Sequence, residues 1–532
     1  MKDNEMTDLN IILFMCGWGP HAAYQTLQDD AAPIPGEIKM VRIPCAGRIT
    51  KALLMKSFEM GADGVVLLGC EAGSCRYGSG TTNAQEHVED TQGILELLGL
   101  GRGRLRLGNF LPDEPERLLK FLTQFTKELR QLGRSPISPG REARGKDERD
   151  ETLAELLSLH DVYACQECGK CSSACPLTLA GKPFSPRRIA NAVIAGKMDD
   201  PAVKKDIWAC LTCGLCYDRC PSAVNFPEFI RDLRGFLMRR SPDRYAAHGG
   251  FFHSLMRTMT EADLPINHWD WLDEDIQIDN NSKTLFFGGC APYFDIFFKK
   301  HLGVNTRASL VNSLSLLNFF DVHPALLPGE RCCGHDLLWS GDRDNFLKLA
   351  RLNRDAFHER GIEEIITACP ECYTTLKRDY ASRGIELDLK VTHLYEFLEQ
   401  EIDKGAVDFK KLNKRLTFQD PCRLSRLENR PDLPRKLLNR LRPVAFTEMA
   451  NWGTNAICCG NSAWIGCDAF SKALQVERLE DAHNTGSDIL VTACPKCQIH
   501  LSCAMEDPFR GDDLKMDLMD LSTVLAKTIQ WE

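Results

Sequence analysis

The sequence has no apolar run near the ~18 residues that a membrane-spanning helix needs, so no membrane span is expected. It has no surplus of basic charge either. Lys and Arg total 65 against 74 Asp and Glu, a net charge of −9, which argues against a nucleic-acid partner. A G-x-G-x-x-G turn between strand and helix is also missing. The Gly-rich stretch 76–83 (RYGSGTTN) does not fit one, so no flavin or nicotinamide site is expected in this chain. The N-terminal MKDNEMTDLN is acidic and polar, and the IILFM after it is too short for the core of an export signal. A reducing, cytoplasmic location is expected, where ordered cysteines mean metal or redox chemistry rather than disulfides.

What the chain does have is cysteine: 24 in 532 residues, in an otherwise ordinary composition of 43% hydrophobic and 26% charged residues. This length implies several domains. Two runs read C-x2-C-x2-C-x3-C-P: Cys165, Cys168, Cys171, Cys175 before Pro176, and Cys210, Cys213, Cys216, Cys220 before Pro221. This is two-cluster ferredoxin spacing, in which the fourth cysteine of each run ligates the other cluster. We therefore expect one 4Fe-4S cubane on Cys165, Cys168, Cys171 and Cys220, and another on Cys210, Cys213, Cys216 and Cys175. The competing reading, a pair of zinc knuckles, does not require four closely spaced cysteines ending in Pro, twice.

The chain around these runs divides by pattern. Residues 1–134 alternate apolar runs (10–16, 38–45, 61–70, 105–110) with helical stretches (49–60, 115–133), which predicts a parallel α/β sheet. Cys16, Cys45 and Cys70 end three of the runs and Cys75 follows one loop later, where ligands of parallel sheets collect. Residues 135–151 (SPISPGREARGKDERDE) read as a solvated linker. A mostly helical domain is expected over 152–245, with a Ser-capped helix at 185–198, and a poorly patterned stretch follows over roughly 241–281. The remainder, 283–408 and 409–532, is an internal repeat. Each half carries five cysteines in the order C…CCG…CP-x-C: Cys290, Cys332, Cys333, Cys369, Cys372, then Cys422, Cys458, Cys459, Cys494, Cys497. The fold class expected is multidomain α/β plus α: an N-terminal α/β 2Fe-2S domain, a helical two-cubane ferredoxin domain and a duplicated α/β domain.

Five thiolates exceed what one cubane needs, and the CCG…CPxC arrays resemble the CCG-domain family, specifically the catalytic subunit of heterodisulfide reductase. The resemblance implies a non-cubane 4Fe-4S cluster on each five-cysteine set, with a disulfide cleaved between them. Residues 152–245 then look like the electron-feeding subunit of the same reductase. The segments FMCGWG, RIPCAGRI, GADGVVLLGCEAGSCRYGSG and RLRLGNF resemble the iron–sulfur delta subunit of methyl viologen-reducing hydrogenase, which implies a 2Fe-2S cluster on Cys16, Cys45, Cys70 and Cys75. Structural or mononuclear metal sites are the alternatives for these sets.

One departure bears on the substrate. The family often places histidines beside the first cysteine of the second array, whereas here the sequence is Gln419-Asp420-Pro421-Cys422-Arg423. Arg423 cannot deliver a proton but could bind an anionic substrate. His335 is a candidate donor, and Asp420 and Arg331 are weaker candidates. Cys467 and Cys503 are left over and are expected to be buried packing residues. Together these readings imply an iron–sulfur subunit of a heterodisulfide reductase-type, flavin-based electron-bifurcating complex. FAD would sit only in a partner flavoprotein, and a hydrogenase, formate dehydrogenase or similar donor and ferredoxin would complete it. A pure electron-transfer subunit and a hydroxy-acid oxidoreductase are the alternatives.

Overall fold

The computed structural model describes residues 9–138, 152–239, 246–405, 407–441, 445–510 and 512–531. Most of the expected linker, residues 139–151, lies outside the described residues. The chain forms two compact units: Met1–Asp147 with His248–Asp270, and Glu148–Ala247 with Trp271–Glu532. No helix among the described residues is long and apolar enough to cross a membrane.

The first unit contains β1 (Ile11–Cys16), β2 (Ile38–Ile43), β3 (Gly64–Cys70) and β4 (Leu105–Phe110), all parallel in the order β2-β1-β3-β4. Helices α1 (Gly19–Asp29), α2 (Lys51–Glu59), α3 (Gly80–Leu97) and α4 (Pro115–Leu132) connect or follow the strands. Strand β3 is apolar along its length and buried at every position, as a central strand covered on both faces must be. Helix α4 places Leu118, Leu122, Phe125 and Leu129 on one buried stripe against Leu13, Met15, Val66 and Leu68. Each such side chain contributes roughly 2 kcal/mol on burial.

Part of the stretch that lacked pattern in sequence, His248–Asp270, completes this unit. Helix Phe251–Thr258 buries Phe251, Phe252, Leu255 and Met256 and packs on α2. Its Arg257 Nε donates to Glu59 Oε1 at 2.7 Å, and Asn267 N donates to Leu97 O at 2.9 Å.

In the second unit, short helices surround the two C-x2-C-x2-C-x3-C-P runs. Ser185 caps helix Pro186–Ile194, as its sequence predicts, by accepting from Arg188 N at 3.3 Å. The duplicated part forms two parallel sheets. In the first, β5 (Thr284–Phe286), β6 (Glu364–Thr367) and β7 (Lys390–His393) lie in sequence order. In the second, β8 (Arg415–Gln419), β9 (Ala445–Phe446), β10 (Ile489–Thr492) and β11 (Asp517–Asp520) lie in the order β11-β10-β8-β9. Strands β6 and β10 occupy equivalent places, each leading into a Cys-Pro-x-Cys turn that starts a helix. The halves differ after their first cysteine. Cys290 caps an α-helix (Ala291–Leu302), while Cys422 opens a π-helical turn (Arg423–Leu427).

Candidate metal centres

Strand geometry gathers the thiols of the first unit. Cys16 and Cys70 end the adjacent strands β1 and β3, and their Sγ atoms lie 3.7 Å apart. Cys45 hydrogen-bonds Cys75 and also senses Cys70, so the four thiols form one group at the carboxyl end of the sheet. Burial pushes Cys16 up to about 11. Cys75 moves down: burial opposes this, but the backbone N–H groups of Tyr77, Gly80 and Thr81 and the Cys45 thiol outweigh it. Gly80 is required here. A Cβ on it would stand 2.6 Å from Cys45 Sγ and 2.7 Å from Cys75 Sγ. The Gly-rich stretch thus brings the start of α3 against the thiols.

The two ferredoxin-type runs exchange their last cysteines. Cys165, Cys168, Cys171 and Cys220 line one hollow, which Cys216 also borders. Cys175, Cys210, Cys213 and Cys216 line a second. The charges agree with this grouping: Cys171 senses Cys165 and Cys220, whereas Cys210 senses Cys175 and Cys213. Burial pushes Cys175 up to about 11 and Cys210 up to about 12. Gly169 and Gly214, at the same place in each run, take φ of +78° and +86°, a turn that suits glycine.

Each duplicated half forms its own chain of thiols. In the first, Cys290 and Cys332 are 2.7 Å apart, and contacts continue through Cys333 and Cys372 to Cys369. In the second, they run from Cys422 through Cys458, Cys459 and Cys497 to Cys494. Hydrogen bonds from Cys458 and Cys497 bring Cys459 down to about 6, while most of its neighbours are pushed up. Cys494 senses Cys369, so the two sets border one another, and Cys458 senses Cys213 of the second ferredoxin-type hollow.

The donor chemistry fits iron–sulfur clusters. All the cysteines are free. Most of these crowded thiols are pushed toward the protonated form, from which a metal would displace the proton, and soft thiolates in fours and fives suit iron. Cys16, Cys45, Cys70 and Cys75 would hold a cluster in the first unit, and the four sets above would do so in the second.

Between the duplicated sets lies a buried polar network that sequence reading missed. Lys496, the x of the second Cys-Pro-x-Cys, is 2.6 Å from Glu371, the x of the first, and also pairs with Asp336. His335 Nδ1 is 2.9 Å from Asp336, and His335 Nε2 accepts from Arg423 Nε at 3.0 Å. Burial opposes the Lys496 charge, but Asp336 and Glu371 outweigh it and hold the ammonium well above its ordinary range. The opposite charges at equivalent motif positions were the signal in the sequence.

Three expectations need correction. Arg423 is 2% exposed, and its nitrogens donate to His335, to Thr212 O at 2.6 Å and to Thr212 Oγ1 at 3.0 Å. Its guanidinium also stacks 4.0 Å from the Trp339 ring, so it is committed inside the protein rather than presented to an anion. Asp420 accepts from Arg435 at 2.7 and 2.9 Å and from Gly453 N at 2.8 Å, a loop-holding role that competes with proton delivery. Cys467 is exposed and Cys503 half-buried, with Lys472 Nζ 3.4 Å from Cys503 Sγ, so they are not core packing residues. Of the other candidates, His335 sits between the thiol sets with its one ring proton directed at Asp336, and Arg331 is buried next to Cys332.

Comparison with known proteins agrees with this geometry. Residues 285–377 and 416–502 each match a family described as cysteine-rich domain, and residues 161–224 match a 4Fe-4S dicluster domain. The chain thus carries iron–sulfur-type domains and is similar to heterodisulfide reductase subunits. Residues 11–133 match the methyl-viologen-reducing hydrogenase delta subunit. One subunit of dihydromethanophenazine:CoB–CoM heterodisulfide reductase, from Methanosarcina barkeri, is 28% identical, over 70% of this chain and 96% of the relative. One subunit of fumarate reductase (CoM/CoB), from Methanothermobacter marburgensis, is 29% identical, over 68% of this chain and 71% of the relative. EtfAB:quinone oxidoreductase from Syntrophomonas wolfei is 27% identical, over 46% of this chain and 34% of the relative. These relatives are named as parts of reductases and as an oxidoreductase, which points to electron-transfer chemistry.

Proposed function

We propose that this chain is the iron–sulfur subunit of a heterodisulfide reductase-type, flavin-based electron-bifurcating complex and reduces a disulfide or similar two-electron acceptor. The carrying observation is the closeness of the two five-thiol sets: Lys496 and Glu371, the x residues of the two Cys-Pro-x-Cys turns, lie 2.6 Å apart, and Cys494 senses Cys369. Bound clusters would supply one electron each, and a disulfide takes two electrons and two protons to give two thiols. Two adjacent sites therefore match the stoichiometry. The proximity of Cys213 to Cys458 supports delivery from the ferredoxin-type segment into the second half. Arg426 bridges that junction, donating to Cys213 O at 2.6 Å and Ala456 O at 2.7 Å. The first unit would hold a 2Fe-2S cluster and exchange electrons with a flavoprotein subunit that carries FAD. A hydrogenase, formate dehydrogenase or similar donor and ferredoxin would complete the assembly.

One observation favours a second reading, a relay with no substrate of its own. His335, Asp420 and Arg423 all direct polar atoms to protein partners. One experiment separates the two. The purified, iron-replete chain is supplied with reduced viologen and a panel of disulfides anaerobically, and thiol release is measured. Thiol formation at two electrons per disulfide supports the reductase. Viologen oxidation only with a partner protein supports the relay.

A further inference from the structure

Placing the two duplicated halves in register on their cysteines reveals a mismatch of charge. The residue after the first cysteine is Ala291 in one half and Arg423 in the other, and four residues on from that cysteine they are Phe294 and Arg426. Two residues past each CCG glycine stand Asp336 and Ser462, and the x of each Cys-Pro-x-Cys is Glu371 or Lys496. At these places the first half supplies only carboxylates and the second only cations. Arg423, Arg426, Asp336 and Lys496 are all buried, where charge is weakly screened.

The charges also face particular thiols. Arg423 and Arg426 both act on Cys422, and Arg426 senses Cys458 as well. Arg426 donates to three backbone carbonyls, those of Cys213, Thr454 and Ala456, and Asp218 tempers its charge. Asp336 acts on Cys290 and Cys332. Lys496 and Glu371 reach across to the opposite set, acting on Cys290 and Cys494; Lys496 pairs with both Glu371 and Asp336, so the three together carry one net negative charge. Arg426, seated on carbonyls beside Cys213 and Cys458, makes the surroundings of the second set the more cationic, whereas the Asp336–Glu371–Lys496 cluster, two of whose members belong to the first half, is net anionic.

Reducing a cluster adds negative charge, so a buried cation beside it raises its potential and a carboxylate lowers it. We propose that the two five-thiol sites are unequal electron holders: the second, against Arg423 and Arg426, has the higher reduction potential and fills first, and the first, against Asp336, fills second. This rests on reading both sets as iron–sulfur sites. The higher-potential site is then the one bordering Cys213. The first electron would rest there until a second arrives, which suppresses release of a half-reduced product.

The test is a potentiometric titration of the anaerobically purified holoprotein, followed by EPR and Mössbauer spectroscopy. Cys332→Ala and Cys458→Ala would assign the signals to the first and second sites. The wild type should reduce the second site at the higher potential. Arg426→Met should lower the reduced-to-oxidised ratio of that site at least tenfold at fixed potential, about 59 mV for a one-electron couple. Asp336→Asn should move the first site upward. A first site that fills first, or midpoints unmoved by both substitutions, would overturn the proposal. If Arg426→Met fails to hold iron, Asp336→Asn decides alone, and an unmoved first-site midpoint counts against it. Absence of iron from both sets in the wild type would instead defeat the functional reading on which it rests.

Discussion

Lys496 Nζ lies 2.6 Å from Glu371 Oε2, joining the variable positions of the two Cys-Pro-x-Cys turns across the internal repeat. Removing one member of a buried ion cluster leaves its partners uncompensated. Lys496→Met should therefore destabilise the second unit by about 3–5 kcal/mol, whereas the neutralised triple Asp336→Asn, Glu371→Gln, Lys496→Met should recover most of the loss. Anaerobic chemical denaturation of the iron-replete protein measures both. A single variant as stable as wild type would contradict the buried pairing.

Gly80 offers a test confined to one metal centre. Adding a methyl group where a Cβ would stand 2.6 and 2.7 Å from two thiols should expel the cluster from the first unit. For Gly80→Ala, we expect loss of the signal of the 2Fe-2S cluster proposed for this unit, in EPR and optical spectra, with the other signals retained. Full retention of that signal would mean that the cluster is not held by Cys45 and Cys75 against Gly80.

Metal content tests the ligand sets as a whole. The proposed complement is about 18 irons per chain with negligible zinc. Cys333→Ala should remove one cluster of the duplicated part and leave the ferredoxin-type signals near normal. Cys503→Ala should leave iron unchanged. Stoichiometric zinc, with iron near half that value, would replace the iron assignment at the duplicated sites.

Acid should loosen the helix that returns to the first unit. Burial raises the Glu59 carboxyl, but Arg257, Lys56 and Ser254 outweigh it and hold the carboxyl below its ordinary 4.5. A carboxyl depressed in the fold contributes stability at pH values above the unfolded-state pKa, and loses it as pH falls through the folded-state value. We expect Glu59→Gln to be destabilising at neutral pH and to flatten the acid limb of the stability profile below about pH 4.5. Hydrogen exchange in residues 251–258, followed against pH, would detect it. An acid limb identical to wild type would contradict the ion pair's role.

Much of this was legible in the sequence because cysteine spacing and strand period are local properties. The apolar runs ending at Cys16 and Cys70 are strands β1 and β3, and the strand-then-helix pattern around each Cys-Pro-x-Cys appears in both halves. What lay hidden depends on neighbours distant in sequence. Helix 251–258 is only eight residues long, and it buries His253, Ser254 and Thr258 along with its apolar side chains because it packs on α2, which lies far away in the chain. Arg423 looked available because sequence does not reveal Thr212, Trp339 and His335 around it. Cys467 looked like core because free cysteine is usually buried, yet its loop leaves it exposed.

The return of His248–Asp270 to the first unit has a consequence for how the chain can be divided. The natural seam, judged by composition, is the charged stretch after residue 134. A fragment ending there would leave behind the helix that covers α2, and with it Phe251, Phe252, Leu255 and Met256. Its solubility would then report an artificial scar rather than the domain. Conversely, a protease that nicks only that stretch would not liberate an independent N-terminal piece, because one strap of the same unit stays covalently tied to the remainder. Along the chain the modules resemble interleaved pages more than beads on a string, and an engineered split would need two cuts and a rejoining.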